Sequence, residues 1–318
     1  MELRHIRYFT AVAEELSFTR AAERLMIAQS PLSQQVRKLE HEIGVELFHR
    51  TTRSVTLTYA GQVFYEQAVG LLHSGDEAVD AAQKAARGEY GKLSVGFTGA
   101  ATYELLPVVM RAYADRHPEV TLDVRSDMDT PHQVAALLDG RLAAGVLRPP
   151  VNARGLTTEV LRHEPVVVLL ASRHPAAVHR DLDLSDLRDE PFISYNNNPP
   201  ASMYLLMTSA CQSAGFVPRI KHVVADSSAL VALVAADMGI ALVPASLRHL
   251  GIRGATYRPL RSPTLSVPLG LAYREGTVSP LVRRFVETTR TVVSSLRPTE
   301  HPQVSPPPEE EDRFIIGL

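Results

Sequence analysis

The stretch AQSPLSQQVRKLE, residues 28–40, carries the side chains best suited to chemistry near the start of this chain. Wound as a helix at about 100° per residue, it puts Leu32, Val36 and Leu39 on one face, with Ile43 extending it. Ser30, Ser33, Gln34, Arg37, Lys38 and His41 take the other face, and no acid appears before Glu40. A merely solvated face is more often filled with Glu and Lys. Arg can donate two hydrogen bonds to a guanine edge, and Gln can pair both ways with adenine. Ser hydroxyls and free N–H groups at a helix start suit phosphates. The chemistry on offer is hydrogen bonding to a nucleic-acid duplex; on composition alone an ordinary solvated face is an equal alternative.

A second set of polar residues lies further along. TGAAT, 98–102, and NNNPPAS, 196–202, each follow a strand pattern and open a helix pattern. Helix starts carry free N–H groups and the positive end of the helix dipole, which suit a carboxylate. Thr130 opens a third helix and offers a hydroxyl. Thr, Asn and Pro are also common caps and turn formers, and that reading stands beside the first.

Other chemistry is missing from the sequence. It contains no P-loop, GxGxxG, GxSxG or HExxH motif, so no enzyme activity and no cofactor are expected. Cys211 is the single cysteine, which excludes an intrachain disulfide and a CxxC zinc site. His163, His174 and His179 are the closest histidine group, and no acid stands at ligand spacing beside them, so they read as exposed loop residues. Net charge is −2 over 318 residues, which gives no global hint of a nucleic-acid or membrane partner. MELRHIRYF carries charge where a signal peptide needs an apolar run. The longest apolar stretch, ALVALVAA at 229–236, is far short of the roughly 18 residues that span a bilayer. A cytoplasmic protein without a membrane partner is expected.

These residues need elements to position them. Residues 1–58 read as three short helices and a hairpin, with Ser17 capping the second helix, Ser30 capping the third, Pro31 at its first position and Gly44 ending it. VELFHRTTRSVTLT alternates like two strands, with Arg50 and Arg53 at the tip. Residues 59–88 form one long helix whose thin apolar stripe asks for a second copy as partner. RGEYG, 87–91, reads as a hinge. Residues 91–296 alternate strand and helix, which argues for an α/β architecture with mostly parallel sheets. The tail 297–318 is Pro-rich and acidic and is expected to be disordered.

The N-terminal motifs LRHIRYFTAVAEELSFTRAAERL, QSPLSQQVRKLEHEIGVELFHR and RSVTLTYAG closely resemble the DNA-binding domain of LysR-type transcriptional regulators. GKLSVGF, LLPVVMRAYADRHPEV and LVAADMGIALVPAS are similar to the effector domain of that family, nearest its aromatic-catabolism branch. The resemblance implies a winged helix-turn-helix at 1–58, a linker and dimerisation helix at 59–88, and a two-lobed α/β effector domain like the periplasmic binding proteins at 91–296. Lobe I would take about 91–162 and 265–296, and lobe II about 163–264. The partners it implies are double-stranded DNA at partly palindromic sites, a small organic acid, RNA polymerase and further copies of the chain in a homodimer or homotetramer.

The family pattern also assigns residues. Gln29, Ser30, Pro31, Ser33 and Gln34 would face bases and nearby backbone, Arg20 and Arg37 phosphates, and Arg50 and Arg53 would serve the wing. Many relatives carry Arg where Gln34 stands, which turns this position from guanine toward adenine or a water-mediated contact. In the cleft the pattern assigns Thr98, Gly99, Ala100, Thr130, Asn196, Asn197 and Met203, with Arg148 at the rim as counter-charge. Muconate-type relatives offer hydroxyls at Gly99 and Ala100; their loss weighs against a dicarboxylate and leaves a smaller or more apolar aromatic acid as the alternative. Two rivals remain at this stage: a regulator that answers no cleft ligand, and a solute-binding module whose N-terminal domain only mediates assembly. Residues 1–58 carry eight Lys and Arg against seven acids, so DNA binding must rely on where each charge sits. Arg53→Ala is expected to flatten the salt dependence of DNA binding by about one counterion; an unchanged slope in a salt titration removes Arg53 from the interface.

Overall fold

The computed structural model describes residues 1–51, 54–196, 200–276 and 279–296, and the chain divides into two units after Ala86. Arg53, Asn197 and the tail 297–318 lie outside the described residues. In the first unit, Leu3–Glu15 (α1), Phe18–Arg24 (α2) and Gln29–Ile43 (α3) precede an antiparallel hairpin of Phe48–Arg50 (β1) and Val55–Leu57 (β2). The apolar positions spaced three and four apart close over one core, with Phe9, Val12, Leu32, Val36 and Leu39 fully buried. The Phe9 ring lies 5.2 Å from Phe48 and 5.0 Å from Phe64, tilted or edge-on, as ring quadrupoles favour.

The Ser17 hydroxyl caps α2 by accepting the Arg20 N–H, and Gly44 ends α3 at φ 80°. The start of α3 differs from the sequence reading: Ala28, not Ser30, is the N-cap, which moves Ser30 and Pro31 into the first turn. Proline is tolerated there because none of the first four N–H groups of a helix has an intrahelical partner.

A single 29-residue helix follows, Tyr59–Arg87 (α4). Its start is fastened to the hairpin. The Thr58 hydroxyl accepts the Gly61 N–H at 2.9 Å and donates to the Glu46 carbonyl at 2.8 Å. Phe64, Ala68 and Leu72 then pack on the core of α1–α3, while Val63, Val69, Leu71 and Val79 stay exposed.

The second unit opens with strand–helix alternation: Gly91–Phe97 (β3), Gly99–Arg116 (α5), Val120–Arg125 (β4), Thr130–Leu138 (α6) and Ala144–Leu147 (β5). β3 pairs in parallel with both β4 and β5. Next comes a 16-residue strand, Leu156–Ala171 (β6). Leu182–Asp183 (β7), Pro191–Tyr195 (β8), Ser202–Ser213 (α7), Arg219–Val224 (β9), Ser227–Ala235 (α8), Ala241–Pro244 (β10), Ala255–Ser262 (β11), Ser266–Arg274 (β12) and Pro280–Ser295 (α9) complete it.

The main sheet runs β4-β3-β5-β12-β6-β11-β7, with β10 also on β6, while β8 and β9 form a separate parallel pair. β6 pairs with β12 from Leu156 to Pro165, then with β11 and β10 from Val166 to Ala171. Those pairings are antiparallel, so the sheet is mixed rather than mostly parallel. The chain passes between lobes through β6 and returns through β12, without the crossover helix that a parallel neighbour needs. One lobe packs around Leu93, Phe97, Leu105, Tyr113 and Phe285, the other around Val168, Leu170, Phe192, Met207 and Leu242. No helix among the described residues is long and apolar enough to cross a membrane.

Gly61 is the most closely packed glycine of the first unit, because a Cβ there would lie 2.0 Å from the Leu47 carbonyl oxygen. Gly61→Val is expected to destabilise this unit by about 1–3 kcal/mol through overpacking. A shifted first transition in urea unfolding checks it.

Candidate DNA-reading face and effector cleft

α3 buries Leu32, Val36 and Leu39 and turns Gln29, Ser30, Pro31, Gln34, Arg37 and Lys38 to solvent, with Ser33 half-buried. Among the described residues neither Gln34 nor Arg37 has a hydrogen-bond or ion-pair partner. Two basic residues of the neighbouring α2 are engaged. Arg24 pairs with Glu14. Arg20 donates to the Glu15 side chain and carbonyl, at the surface with 62% of its side chain exposed. An exposed pair of that kind contributes little and yields readily to a phosphate.

Arg50 departs from its expected place at the wing tip. It is the last residue of β1, half-buried, paired with Glu40 and stacked 5.0 Å over the Phe18 ring. Glu40 also accepts the Leu47 and Phe48 N–H groups at 3.0 and 3.2 Å. One carboxylate thus ties α3 to the hairpin. Sequence reasoning noticed Glu40 only as the acid that ends the polar face; its spacing from Arg50 gave no sign of the clamp.

The cleft of the second unit lies at the C-terminal ends of strands, where open α/β sheets bind ligands. Thr98, Gly99 and Ala100 follow β3, Asp127, Asp129 and Thr130 follow β4, Arg148 follows β5, and Ala225 and Ser227 follow β9. Tyr195 and Pro244 end β8 and β10, and Ala201, Ser202 and Met203 open α7. The cavity between them measures about 50 Å³, room for a few water-sized groups.

Four helices start at this cleft, and their caps differ. α6 is capped by Asp129, which accepts the His132 N–H at 2.9 Å. α8 is capped by Asp226, which accepts the Ala229 N–H at 2.8 Å. The N-cap residues of α5 and α7, Thr98 and Ala201, make no capping side-chain bond. Their first N–H groups have no intrahelical acceptor, and both starts line the cavity.

Asp127 bridges the two lobes. Its carboxylate accepts the Ser227 N–H at 2.9 Å and the Ser227 hydroxyl at 3.0 Å, and the Tyr195 hydroxyl lies 3.0 Å from the same Ser227 oxygen. The Asp127 backbone sits at φ 54°, with its N–H donated to the Thr102 hydroxyl at 3.1 Å. Burial pushes the Asp127 carboxyl above the usual carboxylate range against the two Ser227 hydrogen bonds, and Asp226 adds to the rise. Gly99 makes the approach possible: a Cβ there would fall 2.2 Å from the Ser227 hydroxyl and 2.8 Å from the Asp127 carboxylate. Asp127, Tyr195 and Ser227 did not stand out in the sequence as site residues. The only signal was acids and serines between strand and helix patterns, RSDMDT and ADSS, a composition common in turns whatever the function.

Of the expected cleft residues, Thr98, Gly99, Ala100, Thr130, Arg148 and Met203 line one cavity. Asn196 is not among the lining residues; its carbonyl accepts the Ala201 N–H at 3.2 Å. Two expectations need correction. The Thr130 hydroxyl is already committed to the Arg148 backbone, accepting its N–H at 3.0 Å and donating to its carbonyl at 3.3 Å. Arg148 is not a rim charge either: its side chain is 3% exposed and pairs at 2.6 Å with Glu164, itself 2% exposed. Arg162 joins Glu164 to Glu104. A buried guanidinium needs such a partner, and with it Arg148 brings no uncompensated charge to the cleft. Among the described residues no His, Cys, Asp and Glu group is placed to hold a metal.

Residues 3–62 match the model of the bacterial regulatory helix-turn-helix proteins of the lysR family, and residues 86–294 match the LysR substrate binding domain. The HTH-type transcriptional regulator AlsR of Bacillus subtilis is 38% identical over 286 residues, 90% of this chain and 94% of that protein. BenM of Acinetobacter baylyi is 34% identical over 304 residues, 95% of this chain and 99% of that one. Among solved structures, full-length CbnR complexed with its target DNA superposes with a TM-score of 0.76 at 30% identity, covering 92% of this chain and all 100% of that one.

Burial pushes the Glu164 carboxyl up, but Arg148 and Arg162 outweigh it and hold it below the usual carboxylate range. Its stabilising contribution is therefore complete above the unfolded carboxylate value and is lost as pH falls through the depressed one. Glu164→Gln, which leaves Arg148 buried without its counter-charge, is expected to lose about 3–5 kcal/mol. Urea unfolding of both proteins from pH 7 down to 3 checks this: the wild-type advantage should shrink at the acid end.

Proposed function

Because the chain belongs to the LysR family of bacterial helix-turn-helix regulators, we propose that it binds partly palindromic promoter sites as an oligomer and answers a small organic acid held between its two lobes. The observation that carries the DNA half is the first turns of α3: exposed, free of acids, and holding Gln34 and Arg37 without protein partners. A face built for solvent alone has no need of that composition. Gln34 reads a base edge, adenine being the one its amide matches in both directions. Arg37 and Arg20 hold phosphates, Arg20 by exchanging its surface pair with Glu15. Arg50 serves the wing indirectly, by fixing the hairpin to α3, which leaves Arg53 as the cation assigned to the backbone there.

Oligomerisation supplies what the small net charge of residues 1–58 does not. Two tethered reading heads bind with an effective local concentration that multiplies weak single contacts. The long helix α4, which leaves Val63, Val69, Leu71 and Val79 exposed, is the element we assign to pairing with a second copy. The effector half rests on the two uncapped helix starts, α5 and α7, facing one cavity. Their unpaired N–H groups and dipoles suit a carboxylate. The acid acts by binding the open and closed arrangements of the lobes unequally, which is the only way a ligand shifts a conformational equilibrium.

Two variants test the DNA reading. Gln34→Ala should weaken binding to the preferred site by about 1–3 kcal/mol and leave binding to unrelated DNA unchanged. Arg37→Ala should weaken both and lower the salt slope by about 1. The site itself comes from sequencing genomic fragments retained by the purified protein. If both variants keep full affinity and slope, the N-terminal domain is an assembly module and the solute-binding rival replaces this reading.

A further inference from the structure

Resting on the cleft as an organic-acid site, we propose that Asp127 is its specificity-determining residue: it restricts the effector to acids with a single carboxylate. The anion position at the start of α8 is already filled. The Asp127 carboxylate accepts the first N–H of that helix at 2.9 Å and the Ser227 hydroxyl at 3.0 Å, which is how a bound acid would sit there. Gly99, which has no side chain to intrude, lets this internal carboxylate and its hydroxyl partner close against α5. Because Asp127 also stands against the start of α5, an effector carboxylate keeps the start of α7, and a second one would meet Asp127 at α5.

A second carboxylate meets no compensating charge. Arg148 is the only cation lining the cavity among the described residues, and Glu164 neutralises it. Asp129 lines the same space as Asp127. Both acids follow β4 and line the cavity, Asp127 directly beside the start of α5. Two like charges a few ångströms apart, at the effective dielectric of a protein site, repel by an amount worth roughly tenfold to a hundredfold in affinity. The uncharged end of a monocarboxylate escapes that repulsion and has Met203, Ala100 and Pro244 to lie against.

The test is isothermal titration of the full-length protein with acids matched in skeleton: butyrate against succinate, hexanoate against adipate, benzoate against terephthalate. For each pair that gives heat, the monocarboxylate should bind at least about tenfold more tightly. Asp127→Asn keeps the shape and one acceptor for Ser227 and should erase most of that preference by admitting the dicarboxylate. Asp127→Ser is the second variant, used if the first melts early. A wild-type protein that binds the dicarboxylates as tightly overturns the proposal. So does a monocarboxylate preference that both variants keep, which leaves the cleft an acid site but frees Asp127 of the role. If no acid of the panel binds the wild type, the effector reading falls and this inference falls with it.

Discussion

The second unit depends on the backbone of β6. A strand must find partners for its N–H and C=O groups wherever it is buried, and β6 is 16 residues long. It meets that demand by changing neighbours, from β12 in one lobe to β11 and β10 in the other. The lobes are therefore two regions of one hydrogen-bonded sheet. Strand ends from both face a common space, and the helices that follow those strands begin there. Glu164 sits next to the change of partner, where β6 leaves β12. A carboxylate buried at that point is tolerated because two guanidinium groups reach it, and its neutralisation of Arg148 sets the charge balance of the cleft beside it.

The first unit solves a different problem, a DNA-reading surface with a net charge of only +1 over residues 1–58. Its basic residues are divided by neighbourhood. Those near acids hold the fold: Arg24 on Glu14, and Arg50 on Glu40 and Phe18. Arg37, one helical turn beyond Gln34 on α3, makes no ion pair among the described residues. Glu40 stands at the border between the groups. Placed earlier on the helix it would repel a duplex; placed where it is, it points back and organises the hairpin.

Local and periodic features were legible in the sequence. The three N-terminal helices follow from apolar spacing, the end of α3 from Gly44, the α2 cap from Ser17, and β3, α5, β4 and α6 from alternation. What was not legible depends on partners far apart in the chain. The first half of β6, LTTEVLRHEP, reads as mixed polar residues because one of its faces is exposed and its pairing with β12 lies about a hundred residues away. Arg148 looked like a free counter-charge because Glu164 comes within reach only once β5 and β6 are folded. Asp127 drew no notice because Ser227, which defines its role, is one hundred positions later. In the first unit, Arg50 looked like a wing tip because nothing in VELFHRTTRS announces a carboxylate behind it.

Gly61 has a mechanical consequence. Because the first turn of α4 touches the Leu47 carbonyl and Phe64 and Ala68 lie in the core, that end of the helix cannot swivel separately from α3. The helix of 29 residues extends about 43 Å, which makes it a lever whose short end is the reading head. A sideways displacement of about 7 Å at the far end tilts the head by only about 10°. Two base-pair steps of the duplex, about 3.4 Å each, span the same 7 Å. As a rigid rod the helix is a reducing gear: a coarse displacement at one end corresponds to a small change of angle at the other.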